Sequence, residues 1–207
     1  MVDTLYSKLK KDIRFQEGLK ACINCGTCTA ICPAAGIFDY DPRQVVDTLQ
    51  NEDEDELREL LSSDTIWRCG ECLSCKTRCP RGNTPAYLIQ ALRALSIESG
   101  LFRLSHQGRL QRELMKTMSE HILEYGYCVY FDAINTEKFP EQGPVWDWIK
   151  ENKENILKRL GCSYKENKAG ALRAIPQESL DDLYAIFKET GALERFKKLE
   201  DVWQLKV

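Results

Sequence analysis

CINCGTCTAICP at residues 22–33 and CGECLSCKTRCP at residues 69–80 share one spacing, C-x2-C-x2-C-x3-C-P, and eight of the chain's ten cysteines fall in it. Three cysteines at i, i+3 and i+6 let a short turning loop aim three thiolates at three corners of a cube. The fourth must come from elsewhere, and this is the iron-sulfur spacing in which it serves the cluster held by the other run. Cys22, Cys25, Cys28 and Cys79 are therefore expected to hold one 4Fe-4S cluster, and Cys69, Cys72, Cys75 and Cys32 a second. Crossed ligands tie the runs together and bring the clusters close enough for direct electron exchange. Pro33 and Pro80 are expected to turn the chain away after each crossed ligand, and Gly26 and Gly70 to relieve crowding where the backbone bends.

Zinc also uses C-x2-C pairs, but it needs four ligands, and the third Cys of each run would be left over. A zinc-stabilised interaction module is thus the alternative from a different class. The two remaining thiols sit apart: Cys128 lies in the apolar stretch YCVYF and reads as a buried thiol, and Cys162 follows Gly161 and reads as a lone exposed one. His106 and His121 fall on one expected helix as ordinary surface or packed residues.

With 207 residues, 43% hydrophobic and 29% charged, the chain has the balance of a soluble globular protein. No apolar run approaches bilayer length, and the N-terminus carries charge throughout with no apolar core, so neither a transmembrane segment nor a secretory signal is expected. A reducing, cytoplasmic setting follows, where clustered cysteines mean metal. The formal charge is −3. Eight thiolates around two cluster cores would add about −4 more, which argues against nucleic acid as a partner and against a DNA-binding redox sensor. Arg68, Lys76, Arg78 and Arg81 flank the second run while only Lys20 stands close to the first, so the second cluster is expected to have the higher potential.

Outward from the runs the pattern is helical. Residues 4–20 suggest an amphipathic helix with Leu5, Leu9 and Ile13 on one side, ended by Gly18. Asp41 before Pro42 is a helix start, an N-cap followed by a residue whose missing N–H costs nothing there, and Val45, Val46 and Leu49 face inward from it. The acidic cluster of residues 52–56 heads a second short helix carrying Leu57, Leu60 and Leu61, and reads as a solvated helix start. Thr84, Pro85 and Gly100 bracket a helix with Leu88, Ala91, Leu92 and Leu95 on one face. Another spans residues 105–125 with Leu110, Leu114, Met118 and Ile122 at i+4 steps and Gly126 as its stop. YCVYFDAI, residues 127–134, is the one strand-like stretch, either a strand or a buried extended segment. After the loop of residues 136–144, a helix over residues 145–160 turns Trp146, Ile149, Ile156 and Leu160 one way. A last pair runs from Ser179, breaks at Gly191 and ends at Trp203. Strand signals are absent between the runs, so the fold is expected to be all-α, with a cluster-binding domain over residues 1–100 and a helical extension over 101–207 for packing and partner contact. No dinucleotide fingerprint, phosphate loop or paired-His motif is present, so the chain reads as an electron wire with no catalytic residues of its own.

DPRQVVDTLQ (41–50) and SDTIWRCGECLSCKTRCPRG (63–82), together with the first Cys run, resemble the C-type iron-sulfur subunit of heterodisulfide reductase and its relatives, including the heterodisulfide reductase-like complexes of sulfur metabolism. The likeness covers residues 15 to 100 and rests on the helix-starting Asp-Pro-Arg, the Trp two residues before Cys69 and the closing Cys-Pro-Arg-Gly. It implies an α-helical ferredoxin domain, with the eight run cysteines as cluster ligands and Trp67 packed on a cluster loop. It also implies an oxidoreductase complex in which this chain relays electrons between a flavin-containing A-type subunit and a CCG-repeat B-type subunit acting on a thiol/disulfide or sulfur substrate. An iron-sulfur subunit of a glycolate- or lactate-oxidising complex is the alternative within the same class. The absence of a preceding C-x4-C-x2-C run separates the chain from the succinate dehydrogenase branch.

Overall fold

The computed structural model describes residues 4–140, 143–168 and 172–204, with side chains as far as residue 201, and all regular structure in them is helical. The expected loop of residues 136–144 therefore lies partly outside the described residues, as does the side chain of Trp203.

The first helical stretch is two helices, α1 (Leu5–Lys11) and α2 (Ile13–Gly18), where the sequence suggests one. Asp12 makes the break: its carboxylate accepts the Arg14 N–H at 2.8 Å and caps α2, while its backbone N–H closes α1 on the Leu9 carbonyl. The turn throws Ile13 out to solvent, 64% exposed. After α3 (Thr27–Ala30) come α4 (Pro42–Asn51), capped by Asp41 as expected, and α5 (Glu54–Ser62), capped by Asp53. The acidic cluster is more than a solvated helix start. Glu54 accepts the Leu5 and Tyr6 N–H groups at 3.2 and 2.9 Å and so caps α1 as well, and Glu52 pairs with Lys10 at 2.6 Å. Burial, reinforced by these carboxylates, pushes the Tyr6 phenol up to about 12.

A 3-10 turn, Thr65–Trp67, leads into the second Cys run, and α6 (Pro85–Ser99) follows it. Its expected face is buried, and so are Ile89, Ser96 and Ile97 on its other sides. A helix apolar nearly all round is a central one, and α6 is enclosed by α1, α2, α4, α5 and the 3-10 turns Thr65–Trp67 and Leu101–Leu104. Each fully buried Leu or Ile here contributes about 1.5–3 kcal/mol. Thr84 precedes α6 without a side-chain cap, and its backbone N–H donates to the Gly18 carbonyl at 2.8 Å.

In α7 (His106–Tyr125) the leucines at i+4 steps point outward: Leu110 is 50% and Leu114 37% exposed, while Gly108 and Arg112 are buried. The start of the helix sets its roll. Asp64 accepts from Ser105 Oγ at 2.6 Å and from the Gln107 N–H at 3.0 Å, which lays Gly108 against Trp67.

The chain divides into two compact units within α7, between Gln111 and Arg112, and the end of α10 from Lys198 belongs with the first. The expected division at 100/101 falls earlier because the 3-10 turn Leu101–Leu104, with Phe102 fully buried, and Leu199 both pack on the first unit's core. The second unit holds α8 (Val145–Arg159), α9 (Gln177–Glu189) and the start of α10 (Ala192–Gln204). Its buried apolar residues, among those described, are Ile134, Phe139, Leu157 and Leu172, while Leu160 of the expected α8 face is 70% exposed. YCVYFDAI forms no strand. It contains a 3-10 turn, Phe131–Ala133, whose Asp132 is held by Lys153, by Tyr164 Oη at 2.6 Å and by Lys165 at 2.6 Å. That polar anchor leaves Cys128 exposed instead of buried. Cys162 is half-buried, not fully exposed.

Candidate iron-sulfur centre

The two Cys runs start on the same backbone pattern. Asn24 and Glu71, each two residues after the first Cys of its run, have left-handed φ of 58° and 52°, and Gly26 and Leu73, two residues further, have 75° and 60°. The Asn24 N–H donates to Cys22 Sγ and the Glu71 N–H to Cys69 Sγ, both at 3.4 Å. Cys25 Sγ meets Thr27 Oγ1 at 3.3 Å and Cys72 Sγ meets Ser74 Oγ at 3.4 Å. Left-handed residues that turn successive N–H groups inward make concavities for anions, iron-sulfur centres among them. Gly26 therefore answers a conformational need, whereas Gly70 has no positive φ and no protein atom within 4 Å of a Cβ.

Each loop is held from outside by a helix. For the first, Arg43 donates to Asn24 Oδ1 at 3.0 Å, Asn24 Nδ2 donates to Asp47 at 3.2 Å, and Thr29 Oγ1 donates to the α4 cap Asp41. For the second, Gln90 donates to the Glu71 carboxylate at 2.8 Å, and Arg93 pairs with it while donating to the Cys69 carbonyl at 2.6 Å and the Ile66 carbonyl at 2.8 Å. Arg93 also lies over the Trp67 ring. Trp67 accordingly packs on Arg93 and α7, away from the thiol recess.

That recess is walled by Cys69, Cys72 and Cys75 of the second run and by Cys32 of the first, with Tyr40, Pro42, Leu73 and Ala86 around them. The Ala86 N–H in the first turn of α6 reaches Cys75, so a helix N-terminus faces the thiols. Tyr40 is 4% exposed, and its hydroxyl bonds Cys69. Burial, then the nearby Cys69, holds the phenol far above its ordinary value. At the other end, the close of the second run is pinned beside the start of the first. The Asn83 N–H donates to Cys79 Sγ at 3.3 Å, Asn83 Oδ1 accepts the Lys20 N–H at 2.5 Å, and Arg81 Nε reaches the Ala21 carbonyl at 3.3 Å. Cys79 is thereby carried to the neighbourhood of Cys22.

The donor set fits a thiolate-held cluster. Burial raises the Cys28, Cys69 and Cys75 thiols, and hydrogen bonds from Thr27 and Ser74 lower those of Cys25 and Cys72. Cations that would offset the charge stand by: Arg68, over the Phe38 ring at 4.9 Å, and Lys76, bonded to Tyr87 Oη at 3.3 Å. Among the described residues no three His, Cys, Asp or Glu side chains gather round a point as the ligands of one ion do. Thiols serving separate irons of a cube stand further apart than that.

Reading the sequence singles out all eight run cysteines but not Tyr40, Glu71, Asn83 or Arg93. None of these carries a spacing signal, since each is placed by tertiary packing.

Residues 18–83 match the family model described as a 4Fe-4S dicluster domain. The chain is 35% identical, over 94% of its length and 72% of the relative's, to the C-type subunit of the ferredoxin:CoB-CoM heterodisulfide reductase of Methanosarcina acetivorans. It is 30% identical to a C-type iron-sulfur subunit of the CoB-CoM heterodisulfide reductase of Methanocaldococcus jannaschii, over 80% of this chain and 82% of that one. A protein of Archaeoglobus profundus, named as similar to the C-type subunit of heterodisulfide reductase, is also 30% identical, covering 78% and 80%. Among the described residues no helix is long and apolar enough to cross a membrane. An all-helical fold, a dicluster domain and this degree of identity over most of both chains make the protein a member of the family of heterodisulfide reductase C-type subunits, the iron-sulfur electron-transfer subunits of an oxidoreductase complex.

Proposed function

We propose that this chain relays electrons through two 4Fe-4S clusters between a flavin-containing A-type subunit and a CCG-repeat B-type subunit, which acts on a thiol/disulfide or sulfur substrate in the cytoplasm. Cys22, Cys25, Cys28 and Cys79 hold the first cluster, and Cys69, Cys72, Cys75 and Cys32 the second. The observation that carries this is the recess in which Cys32 joins the three thiols of the other run. Each cluster, when bound, takes up and gives back one electron at a time. The chain's residues supply the rest: backbone N–H groups and Tyr40 donate to the ligand sulfurs, and α4 and α6 lock the loops. Arg68 and Arg93 place positive charge beside the second run, which favours a higher potential there. The chain holds no substrate residues, and chemistry occurs on the partners.

Anaerobically purified protein should contain about eight iron and eight acid-labile sulfide per chain. The native complex should bring down a CCG-repeat protein and a flavoprotein. Four iron, or co-isolation with a 2-hydroxy-acid-oxidising flavoprotein alone, would contradict the proposal.

A further inference from the structure

Asn83 is 2% exposed and lies four residues beyond Cys79. Of its backbone N–H and its two side-chain polar atoms, two are committed: the backbone N–H to Cys79 Sγ and the side-chain Oδ1 to the Lys20 N–H. The second bond fixes which way the amide faces, because a backbone N–H can only be met by the oxygen. The remaining group, Nδ2, is enclosed and finds no acceptor in the protein. Leaving a buried donor unmet is unfavourable. The acceptors a loaded centre brings to this place are sulfurs, and hydrogen bonds to cluster sulfurs favour the reduced, more negative form.

We propose that Asn83 Nδ2 donates a hydrogen bond to a sulfur of the cluster held by Cys22, Cys25, Cys28 and Cys79, and so raises that cluster's potential relative to one lacking the bond. The same side chain locks the Lys20 backbone beside the first run, so it couples loop position to potential. This rests on the ligand assignment proposed above.

The test is a redox titration of the complete protein, following the EPR signal of each cluster, in wild type, Asn83→Asp and Asn83→Ala. Asn83→Asp keeps an oxygen for Lys20 and loses the donor, and Asn83→Ala loses both without adding charge. At the wild-type midpoint the reduced-to-oxidised ratio of the first cluster should fall about tenfold in both variants, a shift of about 59 mV for one electron. The second cluster's midpoint should stay in place. An unmoved first midpoint overturns the proposal, and so does a shift confined to Asn83→Asp, which would mark added charge as its cause. If the variants do not load the cluster, pulsed ENDOR on wild-type protein carrying 15N in its asparagine side-chain amides decides, since Asn24, the other asparagine near the thiols, gives its Nδ2 to Asp47. A 15N coupling to the reduced first cluster supports the proposal, and its absence overturns it. Failure of the ligand assignment would look different, as a Cys79→Ser variant whose first cluster is intact.

Discussion

Asn24 and Glu71 are the same residue of one loop built twice: each is left-handed and each donates its N–H to the Cys Sγ two positions back at 3.4 Å. Their side chains are held differently, Asn24 by Arg43 and Asp47, Glu71 by Gln90 and Arg93. The second anchor is the more enclosed, with the Arg93 side chain only 18% exposed. Arg93→Met strips the partner from Glu71 and from two carbonyls, and should cost about 3 kcal/mol in denaturant unfolding. The second cluster should then be lost to a chelator ahead of the first, and equal rates of loss would show that Arg93 does not anchor that loop.

Crossing predicts a reversal in a pair of variants. Cys79→Ser should weaken the EPR signal of the first-run cluster while the second persists, and Cys32→Ser should do the opposite. Matching damage within each variant's own run would mean uncrossed ligands.

Tyr40 separates packing from tuning. Tyr40→Phe keeps the buried ring and removes only the hydroxyl that bonds Cys69. Its cost in stability should be about 1 kcal/mol, while the midpoint of the second cluster falls. Tyr40→Ala should cost about 3–5 kcal/mol by opening the core. A midpoint unchanged in Tyr40→Phe would remove the hydroxyl from any electronic role.

At Gly108 two effects compete. Alanine gains about 1 kcal/mol of helix propensity over glycine, but a Cβ there would stand 2.6 Å from the Phe102 carbonyl and 3.0 Å from Trp67 Nε1. A backbone oxygen cannot step aside as a flexible side chain can, and overpacking costs about 1–3 kcal/mol. Gly108→Ala should therefore lower the thermal midpoint, and a rise would mean that α7 slides freely on Trp67.

What can be read in the sequence is whatever local chemistry dictates. Asp41-Pro42 caps α4 because an acceptor side chain and a missing N–H suit a helix start anywhere, and the Cys spacing encodes its ligand geometry directly. The break at Asp12 is hidden because Leu9 and Ile13 keep helical spacing across it, and only the cap bond to Arg14 shows it. The buried face of α7 is hidden because leucine spacing gives a helix period, not its roll, which Asp64 and Trp67 set from 41 residues and more away. Asn83 and Arg93 are ordinary polar residues in the chain. They acquire their places only when α2, α6 and the two runs meet.

Between the two loops one position differs in kind: at equivalent left-handed turns stand Gly26 and Leu73. Glycine adopts that turn freely, while a branched side chain bears roughly 1–2 kcal/mol in it. The turn therefore needs less support from its surroundings in the first loop than in the second. With limiting iron the first cluster's signal should therefore appear before the second's. In Leu73→Gly the two should rise together, and an unaltered sequence of appearance in that variant would discount the turn as the cause.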